Sequence, residues 1–466
     1  MGSVQARSFY DIFSRLLPLL DISPPVVTLP VMNNRTSISA IFRFWLPLQT
    51  TWLMMAIEGP LLTAIIARLA DPKLNLAAYG VAFALAIMVE APVIMMMSAS
   101  TALADSAENF RRLRNFTWIL NVGITVVMVV LVFSPAWSLV IHQWMRLDPQ
   151  VAALTHTSLI ILLPWPAAIG YRRFYQGLLI RTGRTRRVAW GTGVRLVVMM
   201  LTAFGLKYFT TIGGAWIGAS ALTTGVLAEA VAARLMARDS IAEVMASPVK
   251  STLSYGEITR FYYPLALTST ISLLVHPMVT FFLGQSRNSL ESLAVMPVIN
   301  ALVFIFRTPG LSFQEAAITM LGRSKDNLPV VKLFAIYLGG AAALGLAMIA
   351  LTPLNDVWFR NISGLSVDLA AFAKLPVIIL VLMPAMSITL SMQRALLVSR
   401  RTTGPVTWAS TLEVLGILIT LAVTLNMGNW VGATAAATAF MVGRALGILW
   451  LWRSTSGFNP AQPPRS

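Results

Sequence analysis

Hydrophobic and polar positions divide this chain into long apolar runs separated by short polar stretches. The runs cover residues 42–67, 76–102, 116–141, 153–171, 188–206 and 213–233, then 261–283, 293–321, 332–352, 370–393, 405–426 and 430–452. Each is close to the ~20 residues a helix needs to cross about 30 Å of hydrocarbon. They are continuously apolar, whereas the strands of a membrane barrel alternate over about ten residues. The pattern predicts an all-α integral membrane protein with twelve transmembrane helices. Composition points the same way: 57% of the 466 residues are hydrophobic and 11% charged, and the mean hydropathy of +0.74 is far above that of a soluble domain.

The pattern is written twice. Sliding the sequence on itself by 217 residues lays "FRFWLPL" (42–48) on "TRFYYPL" (259–265), superposing Arg43 on Arg260 and Pro47 on Pro264. The same shift puts Pro60 on Pro277, "LAAYGV" on "LAVMPV", Pro92 on Pro309 and Gln176 on Gln393. With small insertions "GAWIGA" (214–219) meets "GNWVGA" (428–433). Six spans per copy is an even number, so both copies enter the membrane in the same orientation. They form two parallel six-helix bundles related by an axis along the membrane normal, an arrangement suited to alternating access. The expected units are an N-terminal extension (1–31) upstream of a natural-looking start at Met32, a first bundle (32–233), a cytoplasmic linker (234–258), a second bundle (259–453) and a cytoplasmic tail (454–466).

The net charge of +17 raises the question of nucleic acid, but its distribution gives a topological answer. Counted over the predicted loops, 25 Lys and Arg fall on one side, Arg172 and Arg173 among them. Seven fall on the other, and Arg195, Arg307 and Arg444 lie inside spans. The positive-inside rule then places both termini in the cytoplasm, in a bacterial-type inner membrane. The absence of cysteine excludes disulfides and thiolate chemistry. The three histidines, His142, His156 and His276, have no metal-ligand spacing. No phosphate-binding glycine loop with its lysine and no nucleophile elbow is present. The chain reads as a non-enzyme without cofactor or metal.

Charged groups at membrane depth are costly and point to function. They are Glu58, Glu90, Arg195 and Glu229 in the first copy, and Arg307, Glu315, Glu413 and Arg444 in the second. The repeat exchanges their signs: Glu90 superposes on Arg307, and at a shift of 218 Arg195 superposes on Glu413. Two readings stay open. In one, Glu90 pairs with Arg195 and Arg307 with Glu413 inside each bundle, because an unpaired charge there costs several kcal/mol. In the other, these side chains line a cleft between bundles. Arg195, Arg307 and Arg444 would bind an anion there, and Glu58, Glu90, Glu413 and Glu315 would couple or gate. Pro60, Pro92, Pro277 and Pro309 are expected helix kinks, since each lacks a donor and frees a carbonyl. Glu229 and Arg444, near the ends of the last helix of each half, are also placed to reach the interface.

Twelve spans as two parallel sixes, with prolines in the first two helices of each half, resemble the multidrug, oligosaccharidyl-lipid and polysaccharide (MOP) exporter superfamily and its MATE-like fold. The second half is similar to the progressive ankylosis (ANK) family in "FYYPLAL", "HPMVTFFLGQS" and "TPGLSFQEAAI", with Pro309 and Glu315, and in "NWVGATAAA". The resemblance implies a V-shaped secondary carrier, a monomer surrounded by lipid, that exports small anions such as pyrophosphate, nucleotides or citrate-like acids. A proton or sodium ion would drive it. If carboxylates neutralise every intramembrane arginine, the alternative is a cation-coupled multidrug extruder. A flippase for lipid-linked sugars is a third reading.

Overall fold

The computed structural model describes residues 37–248, 253–323, 325–399, 404–426 and 428–456. The expected extension 1–31 and most of the tail 454–466 lie outside the described residues.

Seventeen helices of at least eight residues carry the described part of the fold. The first half contains α1 (Ile38–Ile66), α2 (Pro72–Glu90), α3 (Met96–Leu103), α4 (Ala107–Phe133), α5 (Pro149–Ile161), α6 (Trp165–Arg181), α7 (Thr185–Phe209) and α8 (Gly214–Met236). A short helix, α9 (Arg238–Met245), begins the linker. The second half contains α10 (Tyr255–Leu273), α11 (Val275–Gly284), α12 (Ser289–Arg323), α13 (Leu328–Leu351), α14 (Val367–Ile379), α15 (Met383–Ser399), α16 (Gly404–Asn426) and α17 (Gly432–Thr455). Among the described residues the β pairing is one isolated bridge, Arg287 to Val431.

Eleven of these helices or collinear helix pairs are long and apolar enough to cross a membrane. The eleven do not include α1, 29 residues long but interrupted by Gln49, Thr50, Thr51 and Glu58. The outer faces are apolar. On α4, Trp118, Ile119, Val122 and Val126 are all more than half exposed, which suits a lipid solvent. This is a multi-pass membrane fold.

The two copies agree in local detail. Each has a π-helical turn after its third span, at Ser138–Trp144 and at Val357–Ile362. Each also ties the start of its last helix to its second. Asn75 Oδ1 accepts from the amide of Ala215 at 2.9 Å, and Ser292 Oγ accepts from the amide of Ala433 at 3.0 Å. These caps satisfy donors that a helix N-terminus leaves free, and they explain why small residues recur there. They also correct the sequence register: α8 begins at Gly214 and α17 at Gly432, so Trp216 and Trp430 are not equivalent.

The copies differ in where they break. The helix runs unbroken through Pro60 in α1 and through Pro309 in α12. It breaks at the other member of each proline pair: a 3-10 turn, Ala91–Val93, interrupts the second span at Pro92, and Leu274 separates α10 from α11 just before Pro277. Two of the four expected kinks are therefore breaks, one per bundle.

The halves meet at both ends of the membrane. On the side assigned to the cytoplasm, Trp45 Nε1 donates to Ser312 Oγ at 2.8 Å and Gln49 Nε2 to Thr308 Oγ1 at 3.0 Å. There too Tyr262 donates to the carbonyl of Pro92, and Ser269 to that of Ala91. On the other side Arg68 donates to the carbonyls of Asn361 and Ile362, Gln285 to that of Trp144, and Lys73 pairs with Glu291 at 2.6 Å. Between the ends α2 touches α12, where a Cβ added to Gly80 would lie 2.6 Å from Pro297 Cγ.

Candidate intramembrane charge site

In the first bundle the charges form one network across four helices. Glu229, fully buried on α8, accepts from Arg172 on α6 and lies 3.5 Å from Arg195 Nε on α7. Arg195 also pairs with Glu58 on α1, and Gln176 Nε2 donates to Glu229 Oε1 at 3.1 Å. Each of these cations therefore meets a carboxylate. Leaving one partner of a buried pair alone costs several kcal/mol, so such networks tend toward neutrality. Two further charges sit beside it without an ion pair. Glu90 is buried at the end of α2, its Oε2 without a hydrogen-bond partner and within the fields of Arg172, Arg173 and Arg195. Arg173 contacts Met97 Sδ at 3.7 Å. Three acids and three arginines balance.

The second bundle does not balance. Arg444 on α17 pairs with Glu413 on α16 at 3.0 Å. Among the described residues Arg394 on α15 reaches a hydroxyl, Ser410 Oγ at 3.2 Å, and no carboxylate in an ion pair. Arg307 on α12 has no ion-pair partner among the described residues, its Nε is buried without an acceptor, and it feels the charges of Arg444, Glu413 and Arg394. Three arginines share one carboxylate, leaving a surplus of two positive charges. Glu315 stands apart, on an exposed face of α12, hydrogen-bonded to Trp52 of α1.

The geometry corrects the sequence expectation on pairing. Arg195 pairs with Glu58 and Glu229, not Glu90, and Glu413 pairs with Arg444, not Arg307. The sign exchange survives in another form: the last two helices of each bundle are bridged by an ion pair, Arg195 to Glu229 in one and Glu413 to Arg444 in the other. Glu229 and Arg444 are buried in these bridges and do not reach the interface. Arg172, counted above among loop cations, is buried inside the bundle. Arg172, Arg173 and Arg394 were missed by sequence reasoning. The helix starts, with Pro166 and Pro384 at the second residue of α6 and α15, also set Gln176 opposite Arg394 rather than Gln393. Among the described residues no group of three or more His, Asp or Glu is placed to hold a metal ion.

No family model matches the chain, and no curated protein sequence matches it. Solved structures do. A multidrug resistance MATE family transporter of the MOP superfamily, in an inward-facing conformation, superposes with a TM-score of 0.68 at 16% identity, over 90% of this chain and 98% of that one. The lipid II flippase MurJ, in an inward closed conformation, gives 0.65 at 14% identity over 91% and 88%. A MOP superfamily transporter from Pyrococcus furiosus, described as having a binding pocket of reverse polarity, gives 0.58 at 17% over 90% and 96%. The class follows: this chain has the all-α, MATE-like fold seen in those MOP superfamily transporters.

Proposed function

We propose that this protein is a secondary transporter that moves small anions across the inner membrane by alternating access between its two bundles. The observation that carries the reading is the uncompensated positive charge of Arg307 and Arg394 in the second bundle, beside the Glu413–Arg444 pair. Two half-buried arginines, each with a buried Nε that meets no acceptor and with no carboxylate in an ion pair among the described residues, are expensive unless an anion joins them, and planar guanidinium groups suit phosphate and carboxylate oxygens. Arg195 and Arg444 are held in ion pairs, so their part is to fix helices and shape the site. Glu58 and Glu90 are the candidates for coupling to a proton or sodium ion. The motifs shared with the progressive ankylosis family favour pyrophosphate, nucleotide or citrate-like cargo. The loop charges favour cytoplasmic termini.

The test is efflux from vesicles loaded with labelled pyrophosphate, ATP, citrate or ethidium, comparing wild type with Arg307→Ala and Arg394→Ala. Anion efflux should fall at least about tenfold in each variant, the effect of losing ~1.4 kcal/mol of binding. Unchanged anion efflux refutes the arginine assignment. A second reading, a cation-coupled multidrug extruder, is supported by Glu90, a buried carboxylate without an ion pair. Ethidium transport alone, abolished by Glu90→Gln, would establish it in place of the first.

A further inference from the structure

Away from the charged network, the second bundle carries a groove of about 570 Å³ between α13, α15 and α17. Its lip is formed by Ile336 and Trp452, 68% and 61% exposed, so it opens on the apolar outer face. Gly339 and Gly340 form part of its wall. A Cβ added to Gly339 would lie 3.7 Å from Ala385 Cα, and one on Gly340 would meet nothing within 4 Å, leaving a channel about 12 Å long from Lys332 to Gly340 at helical rise. Two polar features give the channel a head end. Lys332 is the one charged side chain lining it, is exposed, and has no ion-pair partner among the described residues. Gln393, 5% exposed, donates its Nε2 to the carbonyl of Ile448 at 3.2 Å, while its Oε1 is buried without a partner. Lys332 is the fifth residue of α13 and Gln393 the seventh from the end of α15, so both lie within about two turns of the same membrane face.

We propose that this groove is a site for one anionic phospholipid whose head group carries a hydroxyl, such as phosphatidylglycerol. One acyl chain lies along Gly339 and Gly340, the phosphate meets Lys332, and the head-group hydroxyl donates to Gln393 Oε1. The phosphate, acyl chain and head-group hydroxyl of such a lipid each have a counterpart in the groove: the cation, the apolar channel and the unpaired acceptor. Neither the chain nor the ester carbonyls offer a donor, so the hydroxyl is what Gln393 selects. Lysine beside an anionic leaflet is favourable in its own right.

The experiment is native mass spectrometry of the purified full chain titrated with phosphatidylglycerol, phosphatidylmethanol and phosphatidylcholine of identical acyl chains, with inorganic phosphate as competitor. Wild type should bind phosphatidylglycerol first, then phosphatidylmethanol, then phosphatidylcholine, and inorganic phosphate should not displace any of them. Lys332→Gln should weaken phosphatidylglycerol about two- to fivefold, the range of an exposed ion pair, and narrow its advantage over phosphatidylcholine to the part that the head-group hydroxyl gives. Gly340→Leu fills the channel and should abolish the site for all three. Gly205→Leu, on α7 where an added Cβ also meets nothing, should leave it intact and controls for added bulk. Equal affinity for the three lipids, unchanged binding in Lys332→Gln or Gly340→Leu, or displacement by inorganic phosphate overturns the proposal.

Discussion

The two bundles are copies of one sequence pattern, and they use their buried charges differently. In the first, Glu58, Arg195, Glu229 and Arg172 form a closed network, with Glu90 and Arg173 making up a neutral set. In the second, Glu413 and Arg444 form one pair while Arg307 and Arg394 have no carboxylate in an ion pair among the described residues. Helix breaks differ in place rather than number: Pro92 breaks the second span of the first copy while Pro309 leaves its counterpart whole, and the reverse holds for Pro277 and Pro60. Within one repeated framework, one half balances its intramembrane charges and the other carries a surplus of positive charge among the described residues.

The largest test of this contrast is at Glu229. Glu229→Ala leaves Arg172 without its partner and Arg195 with only Glu58, which should cost about 3–5 kcal/mol. It should appear as loss of a monodisperse peak on detergent size exclusion. Arg172→Leu combined with Glu229→Leu should recover most of that stability, since removing both charges removes the penalty. Failure of the double variant to recover would mean the network is not held by charge balance.

Next in size, Arg394→Gln lowers the surplus of the second bundle by one. The KM for anion transport should rise roughly tenfold, near 1.4 kcal/mol, with kcat little changed. A fall in kcat at constant KM would place Arg394 in the conformational step instead. Third, Tyr262→Phe removes the donor to the Pro92 carbonyl and should cost about 0.6–1.7 kcal/mol, the range of hydrogen bonds between membrane helices. Because the chain has no cysteine, a single cysteine placed at Met97 can report this: labelling from the cytoplasmic side should speed up in Tyr262→Phe. Trp45→Phe, which acts on an unbroken helix, should change it less. Smallest, Ser292→Ala removes one helix cap and should lower thermal stability by about 1 kcal/mol, and Asn75→Ala somewhat more, because its Nδ2 also donates to the carbonyls of Ala70 and Asp71. A larger loss in Ser292→Ala would show that the copies have diverged in packing as well as charge.

Much of this was legible in the sequence, because the membrane leaves few options. Apolar runs gave the spans, and the 217-residue repeat gave the parallel bundles. Glu58, Glu90, Arg195, Arg307, Glu413 and Arg444 stood out as charges in oil. What escaped notice were Arg172, Arg173 and Arg394. The runs 153–171 and 370–393 end just before them, as apolar windows must. The helices continue to Arg181 and Ser399, and neighbouring helices bury what a hydropathy pattern assigns to the surface. Pairing was misread for a related reason. Sequence superposition aligns equivalent positions between bundles, but partners are set by which helix faces which within a bundle, and α8 brings Glu229 to Arg195 where α2 does not bring Glu90.

The contact between Gly80 and Pro297 has a geometric consequence. These residues hold the same position in the two copies, 217 apart, and they touch each other. Two equivalent points can coincide only at the pseudo-twofold axis itself, and a rotation leaves points on its axis where they are. For the alternating access proposed above, the pair would serve as a fulcrum, with the thickness of one proline ring against a bare backbone setting the spacing of the bundles there. Bulk added here should hinder both directions of rocking alike: Gly80→Val should lower turnover for every substrate while leaving KM and the balance of labelling between the two faces unchanged.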